Sequence, residues 1–407
     1  MMKNKNTIVI YLLSLFALLS CGEDRTQEFF EQTKENQWIY TTMKESYLWK
    51  EQIKPQERSK FFVPESKFFS SLLYKDDKAS FFAEQVYAGD YGMSVALMRD
   101  PIAVQPSKVY ALVLFVEPDS PAGVAGVKRG MWISAINGKA LSTSSSAQLQ
   151  SGEEAEFTVE YIEYDDKLWV ENGTIKVGAS ASYDVLDIYA DNIYSERGKN
   201  IGYILCNSFS NDDFKNRVNE IAEKFIAQNV TDVVVDLRYN SGGSIDNAAY
   251  LASALVSSEL AGTPFCTLKK SESELYSTQN YISTQYNLCD KKIYFITGEK
   301  TKGVAELLVT SVNASRGAYD VMVVGGKSVG SNVMVERMES PYGFSINPAV
   351  AYAYSSDGNL VSNKGIMPDY EIDELANKER NIYELGNQQE ELLYNTIYII
   401  TNGTAAN

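Results

Sequence analysis

The sequence predicts a multidomain α/β protein, and three observations carry that prediction. Apolar residues recur at helical spacing through EFFEQTKENQWIYTTMKESYLW, then give way near Gly92 to short β-rich runs. From Asn200 onward strand and helix patterns alternate, as in a mostly parallel sheet with helices on its faces. The chain has 407 residues, long enough for more than one packed core.

Lys and Arg number 37 against 53 Asp and Glu, a formal net charge of -16. Phosphate backbones require a basic face, so nucleic acid is not an expected partner. Histidine is absent. That removes Ser-His-Asp and Cys-His machinery, histidine-ligated metals and imidazole proton transfer. A hydrolase built from this chain would need lysine or a carboxylate as its base. No cofactor and no metal are expected.

Residues 1–20 read as an export signal: MMKNKN is basic, TIVIYLLSLFALL is apolar, and LLSC closes the segment at Cys21. Beyond it no apolar run is long enough to span a bilayer. The pattern resembles a bacterial lipoprotein signal. That resemblance implies an acylated Cys21 as mature N-terminus and a lipid anchor at the cell envelope, periplasmic or surface-facing. An ordinary secretory signal is the alternative. Cys206, within IGYILCNSF, reads as a buried thiol. Cys266 and Cys289 flank a polar stretch, which in an exported protein leaves both a disulfide and two free thiols open.

The helical segment spans residues 21–85 and continues through PESKFFSSLLY. The β-rich unit, residues 86–170, contains YGMSVAL, YALVLFV, WISAINGK and EFTVEYIEY. Ser120-Pro121 can open a short helix, Gly130 can cap the turn before WISAI, and Asn137-Gly138 is a hairpin signal. The run EPDSPAGVAGVKRGMWISAINGKAL closely resembles a PDZ domain. PDZ domains add a peptide strand to a sheet edge and hold its terminal carboxylate on backbone amides. By resemblance that loop is Tyr91, Gly92, Met93 and Ser94. A glycine at 92 suits a turn that aims consecutive amides at an anion. The alternative is a module that only packs against its neighbour.

Residues 171–375 carry the alternating core, and LGNQQEELLYNTIYII, within 376–407, a closing helix. IGYILCNSFS, TDVVVDL, KKIYFIT and YDVMVVGG read as strands, with helices between them. Loops at the strand C-termini, YNSGG, GEKTKG and GGKSVG, are then the functional ones.

IGYI with SF, then DLRYNSGG, TKGVAEL, VGGKSVGS and KGIMPD recur in that order over residues 200–370. Together they resemble the C-terminal-processing, or tail-specific, serine peptidases, where a PDZ domain joins a ClpP/crotonase-like α/β core. In that family a serine at a helix start attacks the peptide carbonyl and a lysine takes its proton. The resemblance makes Gly242 and Gly243 oxyanion-hole candidates, with Asp236 and Arg238 supporting the strand end. The family serine precedes a helical glutamate by three residues; Glu306 matches that glutamate and puts Gly303 at the serine position. The lysine follows the last glycine of a G-x-x-T-x-G-K run, which puts Ser331 at its position.

Both members of the dyad are therefore replaced, which implies a homologue that binds peptides or protein C-termini without cutting them. One alternative is an active serine endopeptidase with displaced chemistry, drawn from Ser241, Ser244, Thr301, Lys302, Lys327, Ser328 or Ser331. Another is a carrier of an apolar ligand, since relatives of this fold include retinoid-binding proteins and 27 Tyr and 17 Phe are available to line a cavity. The anchor is open to a direct test. Intact mass of membrane-extracted protein is expected to show loss of residues 1–20 and added acyl mass on Cys21; a non-acylated product cleaved elsewhere would exclude it.

Overall fold

A computed structural model describes residues 26–84, 91–180, 183–317, 319–376 and 382–403. The export signal and Cys21 lie outside the described residues.

Helices α1 (Thr26–Gln32), α2 (Lys34–Ser46) and α3 (Glu65–Leu72) form the N-terminal segment. Ile39, Met43, Phe68, Phe69 and Leu72 turn inward, and the cluster is completed by Val333, Phe344, Ile346 and Ala349 from far along the chain. The Trp49 indole N–H donates to the Tyr352 hydroxyl at 3.1 Å. Strand β1 (Phe81–Glu84) pairs antiparallel with residues Phe344–Asn347. This segment is thus packed into the core unit.

The β-rich module consists of β2 (Met93–Arg99), β3 (Val109–Val116), helix α4 (Pro121–Val124), β4 (Trp132–Ile136), β5 (Lys139–Ala140), β6 (Ala155–Glu163) and β7 (Leu168–Val177). Its antiparallel order is β2-β3-β4-β6-β7, with β5 paired to β4. The turn between β4 and β5 has φ of 50° at Asn137 and 73° at Gly138, both left-handed as the hairpin signal requires. Ser120 Oγ caps α4 by accepting the Gly123 N–H at 3.2 Å. The boundary read at residue 170 requires correction: β7 runs through it to Val177.

The core follows with β8 (Ile188–Glu196), β9 (Lys199–Cys206), α5 (Phe214–Ala227), β10 (Asp232–Asp236), α6 (Ile245–Leu255), β11 (Pro264–Ser271), β12 (Glu274–Asn280), β13 (Lys292–Thr297), α7 (Val304–Arg316) and β14 (Val321–Gly325). It ends with β15 (Val333–Val335), β16 (Met338–Glu339), β17 (Phe344–Asn347), β18 (Ala349–Tyr354), β19 (Tyr370–Glu371) and α8 (Glu391–Asn402). The main sheet has the order β19-β14-β13-β10-β9-β8, parallel throughout except for β8 against β9. Alternate residues face opposite layers. Val233, Val235, Ile293 and Phe295 share a cluster with residues of α5, α6 and α7, whereas Val234, Tyr294 and Ile296 share one with α8. A second, antiparallel sheet, β12-β11-β18-β15, was not legible in the sequence. Cys266 is buried on β11 and Cys289 exposed; both are free thiols. No helix among the described residues is long and apolar enough to cross a membrane.

A buried charge cluster joins the β-rich module to the core. Arg238 is 1% exposed; its guanidinium bonds to both Asp236 oxygens and, through a second pair of N–H groups, to both Glu390 oxygens at 2.6 and 2.9 Å. Arg129, from the β-rich module, reaches Glu390 at 3.2 Å and Glu374 at 2.9 Å. Glu390 also caps α8, accepting the Leu393 N–H at 3.1 Å. Removing such charges from water costs several kcal/mol per ion, so each must be paired. Burial opposes ionisation of Glu390, but the guanidiniums of Arg238 and then Arg129 outweigh it and hold its pKa below the ordinary value. Glu390→Gln is expected to cost about 3 kcal/mol near neutral pH. Because the folded pKa is depressed, that contribution is fully present above the unfolded value of about 4.3 and is lost as pH falls through the folded one. Denaturant titrations of wild type and variant should therefore differ at pH 5–8 and converge as the carboxyl protonates.

Candidate functional site

The parallel strands deliver their C-terminal loops to one edge of the sheet. Asn240, fully buried, ties three of these loops together. Its side-chain amide donates to Cys206 O at 3.1 Å, its side-chain oxygen accepts the Gly242 N–H at 2.8 Å, and its carbonyl accepts the Lys302 N–H at 3.1 Å. Phe209 N–H donates to Gly242 O at 3.2 Å and Phe209 O accepts the Ser244 N–H at 3.1 Å. A Cβ at Gly243 would fall 2.9 Å from the Phe209 backbone, at a φ of 133°. Only glycine fits there, which accounts for the second glycine of YNSGG.

The opposite wall is organised by Glu306. Its fully buried carboxylate accepts four donors: the N–H groups of Gly303 at 3.0 Å and of Gly330 and Ser331 at 2.7 Å each, plus the Ser328 hydroxyl. As the third residue of α7, Glu306 provides the side-chain half of a capping box; Gly303 has no side chain to return the other half. The Gly303 and Ser331 amides donate to the same oxygen, Oε2. The two positions that the family resemblance gives to the dyad, 303 and 331, are therefore neighbours. Val329 N–H donates to Thr301 O at 3.0 Å and fastens the same two loops a second time.

Gly303 has φ 62° and ψ −118°, and nothing lies within 4 Å of the place its Cβ would take. The helical φ that an unstrained serine at this position would need is not present. Ser331 directs its hydroxyl to Val333 O at 3.3 Å. Thr301 and Ser328 are buried and committed: Thr301 bonds to Leu237 O and Gly298 N, Ser328 to Glu306 and Ile366 N. Ser244 caps α6. Ser241, Lys302 and Lys327 are exposed, and no serine hydroxyl meets a lysine amine among the described residues.

The oxyanion-hole candidates separate. The Gly242 N–H is taken by Asn240, which removes it as a donor. The Gly243 and Val304 N–H groups donate to no group among the described residues, and Gly243 is exposed. A Gly242 Cβ would lie 3.6 Å from Val304 N, so the glycine loop abuts the start of α7. Asp236 and Arg238 sit in the charge cluster beneath this loop, away from the open face.

The four residues of the peptide loop differ in role. Tyr91 is buried, its hydroxyl donating to Glu153 O at 2.6 Å. Gly92, φ 71°, is pressed against Ser120, whose Cβ would lie 2.0 Å from a Cβ on Gly92. Met93 and Ser94 open β2, an edge strand of its sheet, opposite Val116 and Phe115.

Sequence reasoning missed the roles of Asn240, Arg129 and Glu390, and held Ser328 only as a candidate for displaced chemistry rather than as a partner of Glu306. A local signal existed for Asn240, whose side chain bonds the amide two residues on, as Asn in turns commonly does. Gly303→Ser is expected to destabilise the fold by about 1–3 kcal/mol through backbone strain alone. Glu306→Ala should cost more than about 3 kcal/mol by stranding several buried donors. Denaturant titration of each variant checks both.

The peptidase family S41 model matches residues 200–372, and the peptidase S41 N-terminal domain model matches residues 34–82. A relative named as a CtpA-like serine protease, from Staphylococcus haemolyticus strain JCSC1435, is 22% identical over 358 residues, 85% of this chain and 66% of that protein. Another of that name, from Staphylococcus aureus strain N315, is 24% identical over 310 residues, 75% of this chain and 57% of that protein. The chain thus spans just under two-thirds, or less, of the length of these relatives. A solved structure of a candidate S41 protease from Bacteroides fragilis NCTC 9343 superposes with a TM-score of 0.74, covering 90% of this chain and 97% of that one, at 23% identity. At that identity the likeness speaks for the fold. Two family models in the family's order, one over the segment that builds the site and one over the N-terminal helices, lead to one conclusion: the chain belongs to peptidase family S41, the C-terminal-processing peptidases.

Proposed function

We propose that this chain is an exported, lipid-anchored pseudo-peptidase that binds peptides or protein C-termini and does not cut them. The observation that carries this reading is the pair Gly303 and Ser331, side by side on Glu306 Oε2. Neither residue supplies the nucleophile-and-amine pair that acyl transfer through a serine–lysine dyad needs. In a serine hydrolase, removing the nucleophile or its base costs on the order of a million-fold in rate. The donors that would bind a carbonyl remain: the Gly243 and Val304 amides and the N-terminus of α7. On this reading the β-rich module is a PDZ domain whose edge strand β2 accepts a peptide by strand addition. The core is of the ClpP/crotonase-like type. LLSC at Cys21 supports the envelope location.

The test is proteolysis of an unfolded protein by purified chain beginning at residue 22. Unmodified protein is expected to be inactive, and either Gly303→Ser or Ser331→Lys alone should change little. The double variant should gain measurable hydrolysis, because nucleophile and base act as one unit. Circular dichroism and thermal melting establish that it folds despite the strain at 303. Serine-probe-sensitive turnover by the unmodified protein would overturn the reading.

A further inference from the structure

The segment Tyr183–Asp187 leaves the β-rich module and leads into β8. Tyr183 stands over the turn that opens β2: its Cζ lies 3.1 Å from the place a Gly92 Cβ would occupy, and Ser120 fills the same position more closely still. Leu186 N–H donates to the carboxylate of Glu117, just beyond β3, at 3.4 Å. The far end is held to the loop after β9. Val185 O accepts from the Asn211 side chain at 2.8 Å, and the Asp187 carboxylate accepts the Ser210 and Asn211 N–H groups at 3.0 and 2.7 Å. Asp187 O accepts the Asn207 N–H at 2.8 Å.

We propose that Tyr183–Asp187 is a strap that closes the carboxylate end of the peptide site on the β-rich module until a peptide terminus displaces Tyr183. This rests on the peptide-binding reading of Tyr91–Ser94. Ser120, the cap of α4, fills the side-chain space at position 92, and the Tyr183 ring lies over the same turn. A strand added along β2 would bring its terminus to this turn and meet the ring. Asp187, with three of the four bonds at the far end, is the pivot, so opening gives up the Val185–Asn211 bond and swings Tyr183 to Leu186 away from Gly92 and Glu117. Affinity for peptide is then lowered by the fraction of molecules in the closed state.

The experiment uses the chain beginning at residue 22 and immobilised random hexapeptides ending in a free carboxylate, with amidated copies as control. Tyr183→Ala is expected to bind the free-carboxylate pool about tenfold more tightly than wild type. Tyr183→Phe, which keeps the ring, should match wild type. In wild type, adding the peptide pool should speed hydrogen exchange at the Leu186 amide. Equal or weaker binding by folded Tyr183→Ala overturns the strap and leaves the peptide reading standing. Absence of carboxylate-dependent binding in every form overturns both. If Tyr183→Ala does not fold, the Leu186 exchange decides, and exchange unaffected by bound peptide excludes the strap.

Discussion

A carboxylate buried without a cation survives only where donors surround it, and Glu306 shows how that requirement can fix a site. Among the described residues no ammonium or guanidinium touches it; its charge rests on three backbone amides and one hydroxyl. The amides come from two loops distant in sequence, the start of α7 and the turn after β14. Neither loop can shift without leaving part of a buried charge unsatisfied. Positions 303 and 331 are held together by main-chain atoms, whatever side chains they carry.

The charge cluster performs the complementary task on the other wall. Arg238 lies two residues before Asn240, and both of its N–H pairs are committed, to Asp236 at the end of its own strand and to Glu390 at the head of α8. The glycine loop therefore leaves the sheet from an immobile base. Arg129 extends the same cluster into the β-rich module, so that module's placement and the base of the glycine loop depend on shared carboxylates. Asn240 then connects the glycine loop to Lys302, one residue before Gly303.

The parallel core was legible because its strands are buried on both faces and so read as continuous apolar runs, DVVVD, KIYFIT and VMVVG. The site loops were legible because glycines and a helix-start glutamate stand where such strands end. The antiparallel sheet was not. Its edge strand β12 reads ELYSTQN and is exposed along nearly its whole length, so no apolar alternation marks it. The boundary at 170 failed for a similar reason, since β7 is an exposed edge strand. The sign of φ at Gly303 is invisible to any pattern of side chains, because the residue has none. Arg129 meeting Glu390 is a contact across 261 positions, which only the folded chain discloses.

The identity of the residue at 303 has its own physical logic. At φ 62° and ψ −118° an L side chain carries strain of about 1–3 kcal/mol. A nucleophile can justify that cost, because the strained turn is what projects its oxygen toward substrate. Once the chemistry is given up, as proposed above, the strain brings nothing in return. Alanine would remove the oxygen and keep the strain, whereas glycine removes both and leaves the path of the backbone unchanged. The open space around the missing Cβ fits the same account: the surrounding atoms have not closed over the position. A site that had lost its purpose altogether would be free to collapse. Here Glu306 and Asn240 hold the loops in place, and the Gly243 and Val304 N–H groups donate to no group among the described residues.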